Sequence, residues 1–256
     1  MLSMQIDELD RLLRNWLNID ELVSIDSALN GLQVAGSRTE VKRIAFSVDA
    51  SLISFQRAAE WAADLLFVHH GLFWGKALSI TGGHYRRIRQ LLESDLALYA
   101  VHLPLDMHPE FGNNAGIAHL LGLKGLKPFG NYKGLKIGFS GYFKEGKTLD
   151  EVVARLCGDG RDALGILPFG VEKIKRVGIV TGGAAQEVSD AIDEGLDLYI
   201  TGDASHTVYH HCLESKINVI FGGHYLTEEW GVKLLGEKLK EEIGLETTFL
   251  NIPTGL

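Results

Sequence analysis

The sequence predicts an α/β fold of two similar lobes, each a mainly parallel sheet covered by helices. Three observations carry this expectation. Short apolar runs alternate with stretches of helical period, the pattern of strand–helix–strand units. The pattern then repeats: Ile-Ala-Phe-Ser-Val at 44–48, a helical stretch over 51–63 and Asp-Leu-Leu-Phe-Val at 64–68 are matched by Val-Gly-Ile-Val-Thr at 177–181, a helical stretch over 184–195 and Asp-Leu-Tyr-Ile-Thr at 197–201. Finally, an aspartate opens the second strand of both copies, and Val48 to Asp64 spans the same interval as Thr181 to Asp197. This points to an internal duplication.

The elements follow in order. Over 1–17, Ile6, Leu9, Leu12, Leu13, Trp16 and Leu17 alternate with Asp7, Glu8, Asp10 and Arg11, which predicts an amphipathic helix. The segment has neither the basic start nor the continuous apolar core of a signal peptide. After each repeated unit comes a second helix and a third strand, at 96–101 and 218–221. The Gly/Lys-rich stretch 122–136, with Lys124, Lys127, Lys133 and Lys136, reads as a linker. It divides a first lobe, 1–128, from a second, 129–256. The second lobe begins with Ile-Gly-Phe-Ser-Gly-Tyr-Phe at 137–143 and a helix over 148–157. Glu and Lys at i,i+4 spacing over 228–243 mark a solvated helix face.

Composition excludes several function classes. In 256 residues, 46% are hydrophobic and 23% charged, ordinary for a globular chain. No apolar run reaches the ~18–20 residues of a membrane span. Cys157 and Cys212 stand far apart, so a thiolate zinc site is not expected and a reducing, cytoplasmic setting is. The net charge of −8 disfavours nucleic acid as a partner.

The chemistry gathers at strand ends. His69-His70 closes the apolar run at 63–68 and is followed by Gly71. The third strand of lobe one leads into His102 and Asp106; that of lobe two leads into Gly222-Gly223-His224 and Glu228. All lie at strand C-terminal ends, where α/β sheets place their sites, so the expected meeting point is a cleft between the lobes. His224 and Glu228 share one helix face at i,i+4. Five ligands, His69, His70, Asp106, His224 and Glu228, exceed what a tetrahedral zinc uses. They suit two divalent ions about 3.5–4 Å apart, with zinc, manganese, iron, cobalt or nickel all compatible. Four positive charges against two carboxylates leave room for an anionic small molecule.

Six ordered motifs span nearly the whole chain: Ala-Leu-Asn-Gly-Leu-Gln-Val-Ala-Gly at 28–36, Val-Asp-Ala-Ser at 48–51, His-His-Gly-Leu-Phe-Trp at 69–74, His-Leu-Pro-Leu-Asp at 102–106, Gly-Asp-Ala-Ser-His at 202–206 and Gly-His-Tyr-Leu-Thr-Glu at 223–228. This set resembles the GTP cyclohydrolase I type 2 homologue family, the Nif-three-like dinuclear metal-binding proteins. The resemblance implies two similar α/β lobes, a dinuclear centre between them, the same five ligands and a toroidal homo-hexamer.

Other polar residues are weaker candidates. His102, four residues before Asp106, and Glu229, beside Glu228, are the expected acid–base residues. His108 flanks a ligand as well. Asn113-Asn114 reads as a loop clamp. His206, His210 and His211 would shape a rim, and His84, Arg86 and Arg87 would suit an anion. The amphipathic N-terminal helix and Phe73-Trp74 are the expected surfaces between copies. The leading expectation is a metal-dependent hydrolase of a nucleotide, phosphoester or cyclic amide. No phosphate-binding glycine motif singles out a nucleotide. The alternatives are a metal-handling or chaperone protein and a ring-shaped scaffold.

Overall fold

The recurring aspartates do the same work in both strand–helix–strand units. In the computed structural model, which describes residues 2–158 and 160–256, Asp64 Oδ2 accepts the backbone N–H groups of Lys42 and Arg43 at 2.8 and 2.9 Å. Asp197 Oδ2 accepts those of Lys175 and Arg176 at 2.9 and 2.8 Å. Each carboxylate thus ties the start of its own strand to the start of the preceding one.

The residues form two compact units. The first runs to Leu105 and regains Gly231–Ile252; the second comprises Asp106–Trp230 and Pro253–Leu256. The first contains β1 (Met4–Gln5), α1 (Ile6–Leu17), β2 (Gly31–Val34), β3 (Glu40–Val41), β4 (Arg43–Asp49), α2 (Leu52–Glu60), β5 (Leu65–His70), α3 (Gly82–Glu93) and β6 (Ala97–Ala100). A short α4 (Leu103–Asp106) leads onward. The second contains α5 (Asn113–Leu121), β7 (Lys124–Tyr132), β8 (Leu135–Lys147), α6 (Leu149–Cys157), β9 (Gly165–Pro168), β10 (Ile174–Ile179), α7 (Val188–Asp193), β11 (Leu198–Thr201), α8 (Tyr209–Ser215) and β12 (Asn218–Phe221). Helix α9 (His224–Glu242) starts in the second unit and ends in the first, where β13 (Glu246–Phe249) follows.

The first sheet has the order β13-β4-β5-β6-β2, parallel except for β2. Both faces are covered, as a parallel sheet requires. Ala45, Leu66 and Leu98 pack with Phe55 of α2 and Leu91 of α3. In the cross-strand row Phe46–Phe67–Tyr99, ring centroids lie 5.4 and 5.7 Å apart. Gly236 of α9 lies over Phe46, where an added Cβ would stand 3.1 Å from the ring. Helix α1 buries Leu9, Leu13 and Leu17, one residue per turn. It ends at Asn18 in the left-handed conformation, φ 49°.

The second sheet has the order β7-β8-β10-β11-β12-β9. Strands β10, β11 and β12 are parallel; the other pairings are antiparallel, so this sheet is mixed. One face packs Ile179, Ile200 and Ile220 against α5 and α6. The other packs Phe129, Tyr199 and Val219 against Val188 and Ala191 of α7. Both sheets share a sub-pattern: three parallel strands in chain order, with an antiparallel strand beside the third. Each helix between those strands also ends in one left-handed residue, Ala62 and Asp95 in the first unit and Gly195 and Lys216 in the second.

Two local expectations are corrected. Residues 122–136 are not a linker but β7, its turn and the start of β8. Glycines and lysines masked the strand, although Phe129 at its centre is fully buried. The last long helix begins at His224 rather than at 228. No helix among the described residues is long and apolar enough to cross a membrane.

Candidate metal centre

In the first unit, β5 lies between β4 and β6 and ends in His69-His70. Consecutive strand residues ordinarily face opposite sides. Here each imidazole is drawn toward a different neighbouring strand: His69 Nδ1 lies 3.0 Å from the Val101 carbonyl, just past β6, and His70 Nδ1 lies 2.8 Å from Asp49 Oδ1 at the end of β4. The ring centroids end up 4.7 Å apart. His102 joins them, its ring centroid 5.1 Å from that of His69 and 5.8 Å from that of His70. Its Nδ1 lies 2.9 Å from Asp26 Oδ1, and its backbone N–H donates to Asn30 Oδ1 at 2.7 Å. One ring nitrogen from each of the three imidazoles falls within 4.8 Å of the others.

Asp26 is buried and accepts four hydrogen bonds, from Ala28 N, Asn30 Nδ2, His102 Nδ1 and Leu103 N. Burial alone would raise its pKa. The bond and charge of His102, with the bonds from Asn30 and Ala28, outweigh burial and lower it to about 2. The carboxylate therefore stays ionised and directs the His102 N–H to Nδ1, which leaves Nε2 as the basic nitrogen.

The second unit supplies an imidazole and two carboxylates. Asp106 Oδ1 accepts from Asn113 Nδ2 at 2.8 Å and Thr181 Oγ1 at 3.1 Å. His224 opens α9 after Gly222-Gly223, with Gly223 at φ +100°. Its Nδ1 meets Asp203 Oδ1 at 2.9 Å, and its Nε2 lies 3.0 Å from Oε2 of Glu228 one turn on. Gly182, at φ +68°, is required beside this pair: an added Cβ would stand 1.9 Å from Glu228 Oε1.

The donors of each unit are of kinds that suit a divalent transition metal. His69, His70 and His224 each commit Nδ1 to an oxygen acceptor, the arrangement that fixes the tautomer and presents Nε2 to a metal. Carboxylate and imidazole donors without thiolates suit zinc, manganese, iron, cobalt or nickel. Cys157 and Cys212 are both buried with raised pKa values, Cys212 at about 11, because burial disfavours the thiolate.

The remaining predicted residues fall as follows. The Glu229 side chain is 2% exposed and takes Arg161 Nη1 at 3.0 Å. Arg161 also donates Nε to the Cys157 carbonyl at 2.9 Å. It lines a cavity of about 320 Å³ with Leu164, Leu226, Pro253 and the Gly222-Gly223 turn. His108 Nδ1 accepts the N–H groups of Glu110 and Phe111 within its own turn. Asn114 clamps the loop, donating to the carbonyls of Asp106 and Ile137 and accepting from Thr181 N. His206, His210 and His211 are exposed and belong to no metal-sized group among the described residues. His84 is buried edge-on against Phe73, so it does not present an anion site. Phe73, partly buried, packs against the first unit's core, and Trp74 lies against His102 and His70. Sequence reasoning missed Asp26, Asp49, Asp203 and Thr181. A signal existed for two of them: Asp-Ala-Ser recurs at 49–51 and 203–205, each at or just past a strand end.

Comparison with known proteins identifies the family. The family model Duf34/NIF3 (NGG1p interacting factor 3) matches residues 4–254. A "GTP cyclohydrolase 1 type 2 homolog" of Treponema pallidum is 44% identical over 97% of this chain and 99% of its own length. Its namesake in Deinococcus radiodurans is 46% identical over 98% and 94%. Among solved structures, TTHA1606 from Thermus thermophilus is 39% identical, with a TM-score of 0.89 over 99% of this chain and 100% of that one. The protein ybgI, of unknown function, is 36% identical with a TM-score of 0.90 over the same shares.

Proposed function

Because the chain belongs to the Duf34/NIF3 family, we propose that it is a metal-dependent hydrolase in which His69, His70, Asp106, His224 and Glu228 together hold two divalent ions. The observation that carries this reading is the orientation of the three imidazoles, each with Nδ1 engaged by a carboxylate or carbonyl oxygen. Core histidines need one satisfied nitrogen. Imidazoles oriented in this way at strand ends, with carboxylates beside them, are the signature of a metal site. When bound, the ions would supply Lewis-acid polarisation and bring the pKa of a coordinated water toward ~7.

The chain's own residues do the rest. His102, its N–H fixed by Asp26, accepts and returns a proton at Nε2. Glu229 is committed to Arg161, so it positions that guanidinium at the cavity wall and leaves proton transfer to His102. The substrate class is an anionic small molecule, a nucleotide, phosphoester or cyclic amide, drawn by the net positive charge of two ions over two carboxylates. Assembly into a ring of six copies belongs to the same reading. Exposed Ile166, Val171, Tyr209 and Leu213 in the second unit supply apolar contact area, and a sedimentation mass of one chain would contradict it.

The test is elemental analysis of protein purified without added metal, then a hydrolysis screen across the three substrate classes. Two ions per chain and turnover of one class are expected. One ion or none would end the dinuclear reading. Fully loaded protein that is inert yet passes metal to an acceptor would make it a metal carrier.

A further inference from the structure

We propose that residues 76–81 are a lid that closes over the first unit's imidazoles when an anionic ligand binds, and that Lys76 is the lid's contact to that anion. This rests on the reading of the site as one for an anionic small molecule; neither the metal count nor the reaction enters it.

The segment joins β5 to α3 and begins where the imidazole cluster ends. Trp74 is a fixed anchor: its Nε1 donates to the Gly71 carbonyl at 3.0 Å, and its backbone bridges to Ala28. Its ring centroid lies 4.9 Å from that of His102 and 5.9 Å from that of His70. The next residue, Gly75, stands at φ +66°. Gly82, which opens α3, stands at φ +53°, and an added Cβ there would meet nothing within 4 Å. Left-handed glycines at both ends let the backbone turn without strain. Between them the chain is loosely held. Lys76 N–H donates to the Trp74 carbonyl at 2.8 Å, and Thr81 N–H to the Ser79 carbonyl at 2.9 Å. No hydrogen bond of residues 75–80 reaches beyond 74–81 among the described residues. A stretch tied only to itself opens and closes at little cost.

Its side chains are suited to covering a site. Leu78 and Ile80 are 50% and 57% exposed, and Lys76 is exposed beside them. The three occupy alternate positions, which an extended segment puts on one side. One swing about the glycines therefore turns all three the same way. The reach suffices: the three residues from Gly75 to Leu78 span up to ~10 Å. The centroids of the three imidazoles lie 4.7 to 5.8 Å apart. Closure moves two aliphatic side chains out of water and onto the Trp74 flank. Without an anion, Lys76 gains nothing by leaving water, so the lid stays open. A bound anion gives the ammonium a partner, which is the differential contact that a ligand-driven change requires.

The experiment is hydrogen–deuterium exchange on the full chain loaded with Co²⁺, with inorganic phosphate as the probe and calorimetry reporting its binding. Saturating phosphate should slow the amides of 76–81 about tenfold or more while α1 keeps its rates. Lys76→Gln should weaken phosphate binding about tenfold and abolish the slowing, at unchanged metal content. Leu78→Ser with Ile80→Ser should abolish the slowing while phosphate still binds. Phosphate that does not bind, binding that leaves 76–81 unslowed, or slowing that survives Lys76→Gln overturns the proposal. Slowing that follows protein concentration instead of phosphate marks a contact between copies and overturns it too. Phosphate-dependent slowing in protein that hydrolyses none of the three substrate classes ends the hydrolase reading and leaves the lid standing.

Discussion

Asp203 holds Nδ1 of His224 at 2.9 Å across a separation of 21 residues. Asp49 holds His70 at 2.8 Å across the same separation. In both pairs the carboxylate sits at or just past the end of one parallel strand, and the imidazole at or just past the end of the next. A sheet that puts neighbouring strand ends side by side brings such a pair together across those 21 residues.

Removing that support should loosen the metal while sparing the fold. The Asp203 side chain is about half exposed, so Asp203→Ala leaves no cavity. Metal affinity should fall about 10–100-fold, measured by competition with a chromophoric chelator, at an unchanged urea midpoint. Unaltered affinity would mean that the pair does not orient a ligand.

Gly182→Ala should act on both stability and metal. A left-handed residue with a Cβ costs ~1–2 kcal/mol, and this Cβ would fall on Glu228 Oε1 and within 3.4 Å of His224 Nε2. At least one ion per chain should be lost by elemental analysis. Full metal content would show that the carboxylate can move aside and still bind.

Asp26 should impose an acid dependence on stability. Its folded-state pKa lies below the ordinary 3.8, at about 2, so the unfolded chain binds the proton more tightly. The stabilisation is fully present above pH ~3.8 and is lost as the pH falls toward ~2. The depression corresponds to about 2 kcal/mol. Asp26→Asn should lack this component, so in metal-free protein its stability should fall less than wild type's between about pH 5 and pH 2. Parallel curves would contradict the assignment.

The two strand-tying aspartates should act alike through their backbone bonds, with Asp64 also taking Arg38 Nη1. Asp64→Ala and Asp197→Ala each remove a carboxylate that accepts two backbone N–H groups. Each should cost about 1.5–3 kcal/mol, the range for hydrogen bonds to charged groups. Urea unfolding measures both, and a loss confined to one would break the parallel between the units.

The sequence by itself determined the repeated strand–helix–strand pattern, the amphipathic first helix and the five proposed metal ligands. Those signals are local: apolar period, an imidazole pair after a strand, and an imidazole and carboxylate one helical turn apart. Tertiary structure alone decided what orients these ligands. Asp26 reaches His102 across 76 residues, and Thr181 reaches Asp106 across 75, distances that only strand order bridges. It also decided that the lysine-rich stretch is a hairpin, because pairing between β7 and β8 satisfies backbone groups whatever the side chains suggest. The last strand is the clearest case. Glu-Thr-Thr-Phe at 246–249 pairs in parallel with β4, about two hundred residues earlier, and joins the first unit because the edge of that sheet needed a hydrogen-bonding partner, a requirement no residue near 246 records.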